Sequence, residues 1–283
     1  MIIDSHCHVW ETWPYEPAVP DPQVRGRAEQ LLFEMDQAQV ERAVIICAAI
    51  GENARNAEYA FEAAARHRGR FVVFPDLECR WSPTFRTPGA AARLETALAR
   101  WDFAGFTLYP EIEEDGSWLS SAEGTAFFDL AAGKGLIASL SVLPHQVPAV
   151  ADLARRHPAM PILCHHLAHF GTRTPAVDPM SGLSAIASLT NVYVKVSGMG
   201  NVTTEVDEFP YPRLQPVFDM LLETIGPDRL VWGSDYPVSR RHMTYRQTLG
   251  MVRYLGVDDD AQRRITGTTM AALLTGSPQS ARG

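Results

Sequence analysis

The run IIDSHCHV, at residues 2–9, decides between two α/β folds that the chain could adopt. Its polar and apolar residues alternate with a period of two, which is the spacing of a β-strand. A doubly wound open sheet usually carries a glycine-rich phosphate-binding turn directly after its first strand. Here the first strand ends in HCHVW, which contains no glycine. The run therefore favours the competing fold, a barrel.

Seven further strand-like runs follow, and they are short and rich in Val, Ile, Leu and Phe, as expected of strands covered on both faces. They lie at 42–49, 70–77, 103–110, 136–143, 161–167, 192–198 and 229–237. Helical patterns alternate with them at 23–40, 54–68, 89–100, 121–133, 145–157, 179–190, 213–226, 242–256 and 258–275. Eight strand-then-helix units are the pattern of a (β/α)₈ barrel. We predict an α/β fold, a single-domain TIM barrel over 1–276, with a flexible tail at 277–283.

Composition and charge limit the class of protein. The formal net charge of −8 argues against nonspecific binding to nucleic acid. No apolar run approaches the ~18 residues of a membrane span, and the N-terminus lacks the pattern of a secretory signal. The four cysteines are widely spaced, so a disulfide framework is not expected. We expect a soluble cytoplasmic protein that binds a small molecule but neither nucleic acid nor membrane, and the sequence leaves a homo-oligomer open.

Histidine and aspartate side chains stand at the ends of three predicted strands. They are His6 and His8 on the first strand, His165 and His166 on the sixth, and Asp235 on the eighth. Because the carboxyl ends of barrel strands meet at one face, these groups can form a single site. Two imidazoles and a carboxylate can bind Zn²⁺ or another transition metal, or act as acids and bases without one. Strand alternation predicts that His165 points away from this site.

Several segments together carry a family resemblance that covers nearly the whole chain in order. They include IIDSHCHVW, AGFTLYP, PILCHHLAHFG, NVYVKVSGM and DRLVWGSDYP. The chain resembles the amidohydrolase-related branch of the amidohydrolase superfamily, most of all its sugar-lactone and 2-pyrone-4,6-dicarboxylate lactonase group. The resemblance implies a (β/α)₈ barrel and a hydrolase that opens a lactone of a small sugar acid or an aromatic-degradation intermediate. It also implies that Asp235 is the general base for water and that His166 polarises the substrate carbonyl, beside His6 and His8.

Two departures from the family pattern bear on metal and substrate. Metal-dependent relatives place a further His at the end of strand five, where this chain has Ser139 and Ser141, with His145 beyond the strand. The resemblance therefore favours no obligatory cofactor, while His6, His8 and Asp235 remain able to hold one divalent metal such as Zn²⁺ or Mn²⁺. Many lactonase relatives use an Arg to hold an acidic substrate, where this chain has Thr107.

Other functions on the same residues stay open at this point. A metal-dependent decarboxylase or amidohydrolase would use the two imidazoles and the carboxylate as ligands. A lactone isomerase would open and reclose a ring with similar acid–base groups. A barrel that only binds a ligand is the non-catalytic alternative, and the presence of the complete His and Asp set argues against it.

Aromatic and arginine residues near the predicted strand ends are candidates for substrate binding, because rings stack on sugars and guanidinium groups bind carboxylates. The candidates are Trp10, Tyr109, Arg80, Arg86, Arg173, Tyr211, Tyr236, Arg240 and Arg241, with His169 in the loop after strand six. Inside the barrel, we predict that Asp4 and Lys195 contact each other, since two buried charges would then compensate.

Overall fold

Eight short parallel strands form the centre of the molecule, whose structure is a computed structural model. The structure describes residues 1–171, 179–204 and 207–276. The strands are β1 (Ile3–Cys7), β2 (Arg42–Ile46), β3 (Phe71–Phe74), β4 (Gly105–Leu108), β5 (Ile137–Leu140), β6 (Ile162–Cys164), β7 (Val192–Val196) and β8 (Leu230–Trp232). Each of them lies inside one of the predicted runs. The predicted tail at 277–283 lies outside the described residues.

Helices connect the strands and cover the outside of the sheet. They are α1 (Ala28–Ala38), α2 (Asn56–Arg66), α3 (Ala90–Arg100), α4 (Ala122–Gly133), α5 (Val147–Arg156), α6 (Pro179–Ile186), α7 (Met199–Val202), α8 (Gln215–Ile225), α9 (Tyr245–Gly250), α10 (Asp259–Arg263) and α11 (Thr269–Gly276). The sequence did not indicate α7, a single turn. The helix predicted at 258–275 consists of α10 and α11, joined by a π-helical turn.

Hydrogen bonds between strands close the sheet into a barrel. β1 to β3 form one parallel sheet and β4 to β8 another. One seam joins the two sheets where the Leu77 amide donates to the Thr107 carbonyl at 2.9 Å. The other seam joins the first and last strands, where the Asp235 amide donates to the His6 carbonyl at 2.8 Å and the His8 amide to the Tyr236 carbonyl at 2.6 Å. The predicted (β/α)₈ barrel is confirmed.

The barrel interior is apolar at one end and polar at the other. Met270 and Leu274 of α11 pack with Ile3, Val44 and other buried strand residues at the apolar end. The polar side chains gather towards the carboxyl ends of the strands, as is general for TIM barrels. The four cysteines are buried with free thiols. Within the described residues, none of the helices has the length and apolar character needed to cross a membrane.

Candidate active site

The predicted histidines and the aspartate meet at the polar end of the barrel. The His6 Nε2 and His8 Nε2 atoms lie 3.6 and 3.5 Å from the Asp235 Oδ1 atom. The ring centroids of His6 and His166 are 4.7 Å apart. All four side chains are buried. The hydrogen bonds between the first and last strands bring His6 and Asp235 together although they are distant in sequence.

Asp235 follows β8 in a left-handed backbone conformation, with φ of 56°. Its Oδ2 atom accepts a hydrogen bond of 3.0 Å from the Asn201 side-chain amide on α7. Burial alone would raise the pKa of Asp235, but His166 and the side-chain amide of Asn201 hold it below its usual value of 3.8. A carboxylate in this position is therefore ionised at neutral pH.

His8 presents a nitrogen lone pair to that carboxylate. Its Nδ1 atom lies 2.7 Å from the carbonyl oxygen of Ile46, which can only accept, so the ring proton is on Nδ1. Its ring also stacks on Trp10, with centroids 4.8 Å apart and an interplanar angle of 14°. The Nε2 lone pair and the carboxylate oxygen face each other. Such a pair of acceptors attracts a cation or a molecule that donates to both.

The segment from His166 to His169 turns two imidazoles towards the site. Four consecutive residues have φ between 48° and 56°, which is uncommon for residues other than glycine. The His166 Nδ1 atom lies 3.0 Å from the Ser197 hydroxyl, and the His169 Nε2 atom lies 3.5 Å from that of Ser141. Burial lowers the pKa of His166 to about 4 and that of His169 to about 3, so both rings are neutral at neutral pH.

His165 lies inside the barrel, and the prediction that it points away was wrong. Its Nε2 atom is 2.7 Å from the Ser139 hydroxyl, and its ring centroid is 4.5 Å from that of His6. Strand alternation fails here because β6 ends at Cys164, one residue earlier. Burial, with the nearby Lys195 adding to its effect, lowers the pKa of His165 well below its usual value.

Asp4 and Lys195 are fully buried as expected, but they do not contact each other. No ion pair joins them among the residues that the structure describes. Lys195 donates to the Ser139 hydroxyl at 2.8 Å, and its Nζ atom lies 3.2 Å from the His6 Nδ1 atom. Asp4 instead accepts hydrogen bonds from two backbone amides and one phenol. Burial lowers the pKa of Lys195 to about 7, although the charge of Asp4 opposes this.

A cavity of about 380 Å³ opens beside the histidines. It is lined by Pro14, Tyr15, Ala48, Ile50, Arg80, Trp81, Tyr109 and Glu111. Of the predicted substrate residues, Arg80 and Tyr109 lie here. The Tyr109 ring centroid is 5.2 Å from that of His165, which places the cavity next to the imidazole cluster.

The other predicted substrate residues lie elsewhere. Trp10 is fully buried behind His8, and its indole N–H donates to the Ala48 carbonyl at 2.8 Å. Tyr236 is fully buried against Tyr245. Neither ring has exposed surface in the cavity.

The arginine candidates and Tyr211 occupy different positions. Arg240 and Arg241 are exposed after β8, and the guanidinium of Arg241 lies over the Tyr15 ring at 5.5 Å. Arg86 pairs with Glu114, and Tyr211 is buried. Arg173 lies outside the described residues.

The residues fit a divalent metal in two ways. One nitrogen or oxygen atom from each of His6, His8 and Asp235 lies within 4.8 Å of the others, and the same holds for His6, His165 and His166. The His6 Nε2 atom is buried and has no hydrogen-bond partner among the described residues, as expected of a ligand atom. His145 does not extend this set, because it lies on the 3₁₀ turn before α5 and contacts the Glu114 carbonyl at 3.0 Å.

Sequence reasoning missed several residues that complete the site. Ser197 follows Lys195 at strand spacing, so the alternation of β7 could have placed both on the interior face. Asn201 had no such signal, because it lies on a single helical turn within a segment that lacks periodicity. Tyr15 and Trp81 belong to long loops, whose paths a sequence pattern does not define.

Comparisons with known proteins identify the family. The model of the amidohydrolase family matches residues 3–275. An L-fucono-1,5-lactonase from Burkholderia ambifaria is 26% identical over 253 residues, which cover 84% of this chain and 81% of that protein.

Solved structures show the same fold at lower sequence identity. An amidohydrolase from Burkholderia multivorans with bound zinc has a TM-score of 0.79 and 20% identity, covering 97% of this chain and 99% of that one. A probable 2-pyrone-4,6-dicarboxylic acid hydrolase from Acinetobacter baumannii, with citric acid bound, has a TM-score of 0.75 and 16% identity, covering 96% and 98%. Because the family model spans nearly all of the sequence, this chain belongs to the amidohydrolase family.

Proposed function

We propose that this protein hydrolyses a lactone, with Asp235 as the general base for the attacking water. The observation that carries the proposal is a buried carboxylate, held ionised, among neutral imidazoles. The L-fucono-1,5-lactonase relative supports the choice of a lactone as substrate. A hydrolase that uses water directly needs a base, a place for the water and donors for the oxyanion.

The attacking water bridges the Asp235 Oδ1 and His8 Nε2 atoms, which are both acceptors and lie 3.5 Å apart. One hydrogen of the water points to the carboxylate and the other to the imidazole. Asp235 takes a proton while the oxygen attacks the lactone carbonyl carbon. Because a carboxylate of low pKa is a weak base, the step depends strongly on stabilisation of the oxyanion.

His166 supplies one donor for that oxyanion. In the tautomer in which Nδ1 accepts from the Ser197 hydroxyl at 3.0 Å, the proton of the neutral ring is on Nε2 and points into the site. The tetrahedral intermediate then collapses, the ring C–O bond breaks, and protonated Asp235 returns its proton to the leaving alkoxide. The net reaction adds one water to the lactone and gives a hydroxy acid, with Asp235 ionised again.

A divalent metal would add to this chemistry. His6, His8 and Asp235 are the residues that would hold it, and when bound it would polarise the carbonyl and acidify water. In the mechanism above, Asp235 orients the water and accepts its proton.

The cavity beside the site favours a polyhydroxylated ring over a dicarboxylate. Its charged side chains are one arginine, Arg80, and one acid, Glu111, and the Arg80 guanidinium already donates to the Pro110 carbonyl at 3.1 Å. Thr107, where many relatives have a second cation, donates to the Ser139 carbonyl at 3.0 Å. Aromatic rings of Tyr15, Trp81 and Tyr109 provide stacking surfaces for a sugar face.

The pH dependence of hydrolysis follows from the direction of two pKa shifts. The pKa of Asp235 lies below 3.8 and that of His166 is about 4, so both groups keep their working forms as the pH falls towards this range. We expect kcat/KM to be constant from about pH 7 down to about pH 5, with an acidic decrease only below that. A stopped-flow measurement of kcat/KM with circular dichroism at each pH checks this, and an acidic limb near pH 6.5 would contradict it.

An assay of lactone opening tests the proposed function. Purified protein is mixed with a panel of aldono-1,4- and 1,5-lactones and 2-pyrone-4,6-dicarboxylate, and acid release is followed with a pH indicator. Each substrate is run as purified, after chelation and with added Zn²⁺ or Mn²⁺. We expect hydrolysis of sugar lactones above that of the dicarboxylate. Absence of hydrolysis in all arms, together with CO₂ release from hydroxylated aromatic acids, would replace the proposal with decarboxylation.

A further inference from the structure

Lysine is rare in this chain, and one of its two lysines is fully buried inside the barrel. The sequence has 25 Lys and Arg residues, of which only Lys134 and Lys195 are lysines. Lys134 is exposed after α4, whereas Lys195 of β7 is fully buried. A buried ammonium needs hydrogen-bond partners to offset the cost of its desolvation. The identity of its partners therefore indicates which residues Lys195 acts on.

Both close partners of Lys195 belong to the candidate active site. Its Nζ atom lies 2.8 Å from the Ser139 hydroxyl and 3.2 Å from the His6 Nδ1 atom. In its ammonium form Lys195 has three donors and no acceptor, so the Nδ1 atom that faces it accepts. The single proton of a neutral His6 ring is then on Nε2. That atom is the one that faces the Asp235 carboxylate at 3.6 Å.

We propose that Lys195 is a positioning residue that holds His6 in the tautomer with its proton on Nε2. His6 thereby presents an N–H donor to the centre of the site, while its neighbour His8 presents a lone pair. The difference comes from their partners, since the Nδ1 atom of His8 faces a carbonyl oxygen instead of an amine. His6 in β1 and His8 just after it thus have opposite hydrogen-bonding character.

A proton on His6 Nε2 favours the proposed catalysis and opposes metal binding. An N–H on His6 adds an oxyanion donor beside His166, a consequence that rests on the proposed lactone hydrolysis. A metal ligand must offer an unprotonated nitrogen, so binding through His6 Nε2 requires the proton to move to Nδ1. Nδ1 would then no longer accept from Lys195, whose remaining close partner is Ser139. Lys195 therefore weakens metal binding at His6, His8 and Asp235.

Nitrogen NMR of the wild-type protein tests the tautomer directly. Protein labelled with ¹⁵N-histidine gives long-range proton–nitrogen patterns that distinguish the two neutral tautomers, and a His6→Gln spectrum assigns His6 among the nine histidines. We expect His6 with the proton on Nε2 and His8 with the proton on Nδ1. A proton on Nδ1 of His6 would overturn the proposal, and this measurement needs no Lys195 variant to fold.

Zinc affinity provides the second test, with the other lysine as matched control. Isothermal titration with Zn²⁺ compares wild type, Lys195→Met, Lys134→Met and Ser139→Ala. We expect Lys195→Met to bind Zn²⁺ at least about tenfold more tightly than wild type, and Lys134→Met to be unchanged. Ser139→Ala should keep the Nε2–H tautomer, because it leaves the contact between Lys195 and His6. Equal Zn²⁺ affinity in both lysine variants would overturn the proposal, and neither readout depends on turnover.

Discussion

The Asp235→Asn variant is expected to lose lactone turnover by a factor of about 10³ to 10⁴, at the upper end of what a general base contributes. Asn cannot accept the proton of water, and its amide would donate where the water must donate. The fold should be kept, because Asn tolerates the left-handed conformation that Asp235 adopts with φ of 56°. The variant keeps a side-chain oxygen that can accept from the Asn201 amide.

Steady-state kinetics on the best lactone of the panel measure this loss. Asp219→Asn is the matched control, since Asp219 is exposed on α8 and its one hydrogen-bond partner among the described residues is Gln215 of the same helix. We expect control activity within about twofold of wild type, because surface changes of this kind have small effects. Retention of more than a tenth of the wild-type kcat in Asp235→Asn, with the wild-type melting temperature, would rule out Asp235 as the base.

The Asp4→Ala variant is expected to lower the free energy of unfolding by roughly 3–5 kcal/mol, as several buried groups lose their acceptor at once. Asp4 Oδ1 accepts from the amides of His6 at 3.0 Å and Ser234 at 2.8 Å. Its Oδ2 atom accepts from the Tyr245 hydroxyl at 2.9 Å. These bonds join β1 to α9 and to the segment that follows β8. All three are buried at this point.

Urea denaturation followed by far-UV circular dichroism measures the change. Asp4→Asn is the informative partner variant, because its remaining oxygen can still accept from both backbone amides. We expect it to lose only about 1–2 kcal/mol. Equal stability of Asp4→Ala and wild type would show that these hydrogen bonds do not hold the barrel seam.

Periodicity was sufficient to predict the barrel and three of the central side chains. The period of two predicted that His6 and His8 face the same way, and both reach the site, although the pairing of β1 with β2 is irregular between Asp4 and Cys7 and β1 ends before His8. Asp235 follows a buried strand whose carboxyl end must face the same mouth. These inferences depend only on local pattern and on the general geometry of barrels.

The incorrect predictions concern positions where local pattern no longer determines direction. His165 lies beyond the last paired residue of β6, so its direction depends on the left-handed turn that follows. Lys195 was predicted correctly to be interior, but its choice of Ser139 and His6 over Asp4 depends on three-dimensional distances. Asn201 reaches Asp235 from a turn that no periodicity marks.

The seam between the first and last strands has a consequence for how the protein is made. Asp4 and Ser234, which bond across this seam, are 230 residues apart in the chain. During synthesis His6 and His8 leave the ribosome early, and the aspartate that completes the site emerges only near the end. Contacts of such long sequence separation form late and slowly. Recovery of activity during refolding should therefore report closure of the whole barrel, while helix content returns earlier.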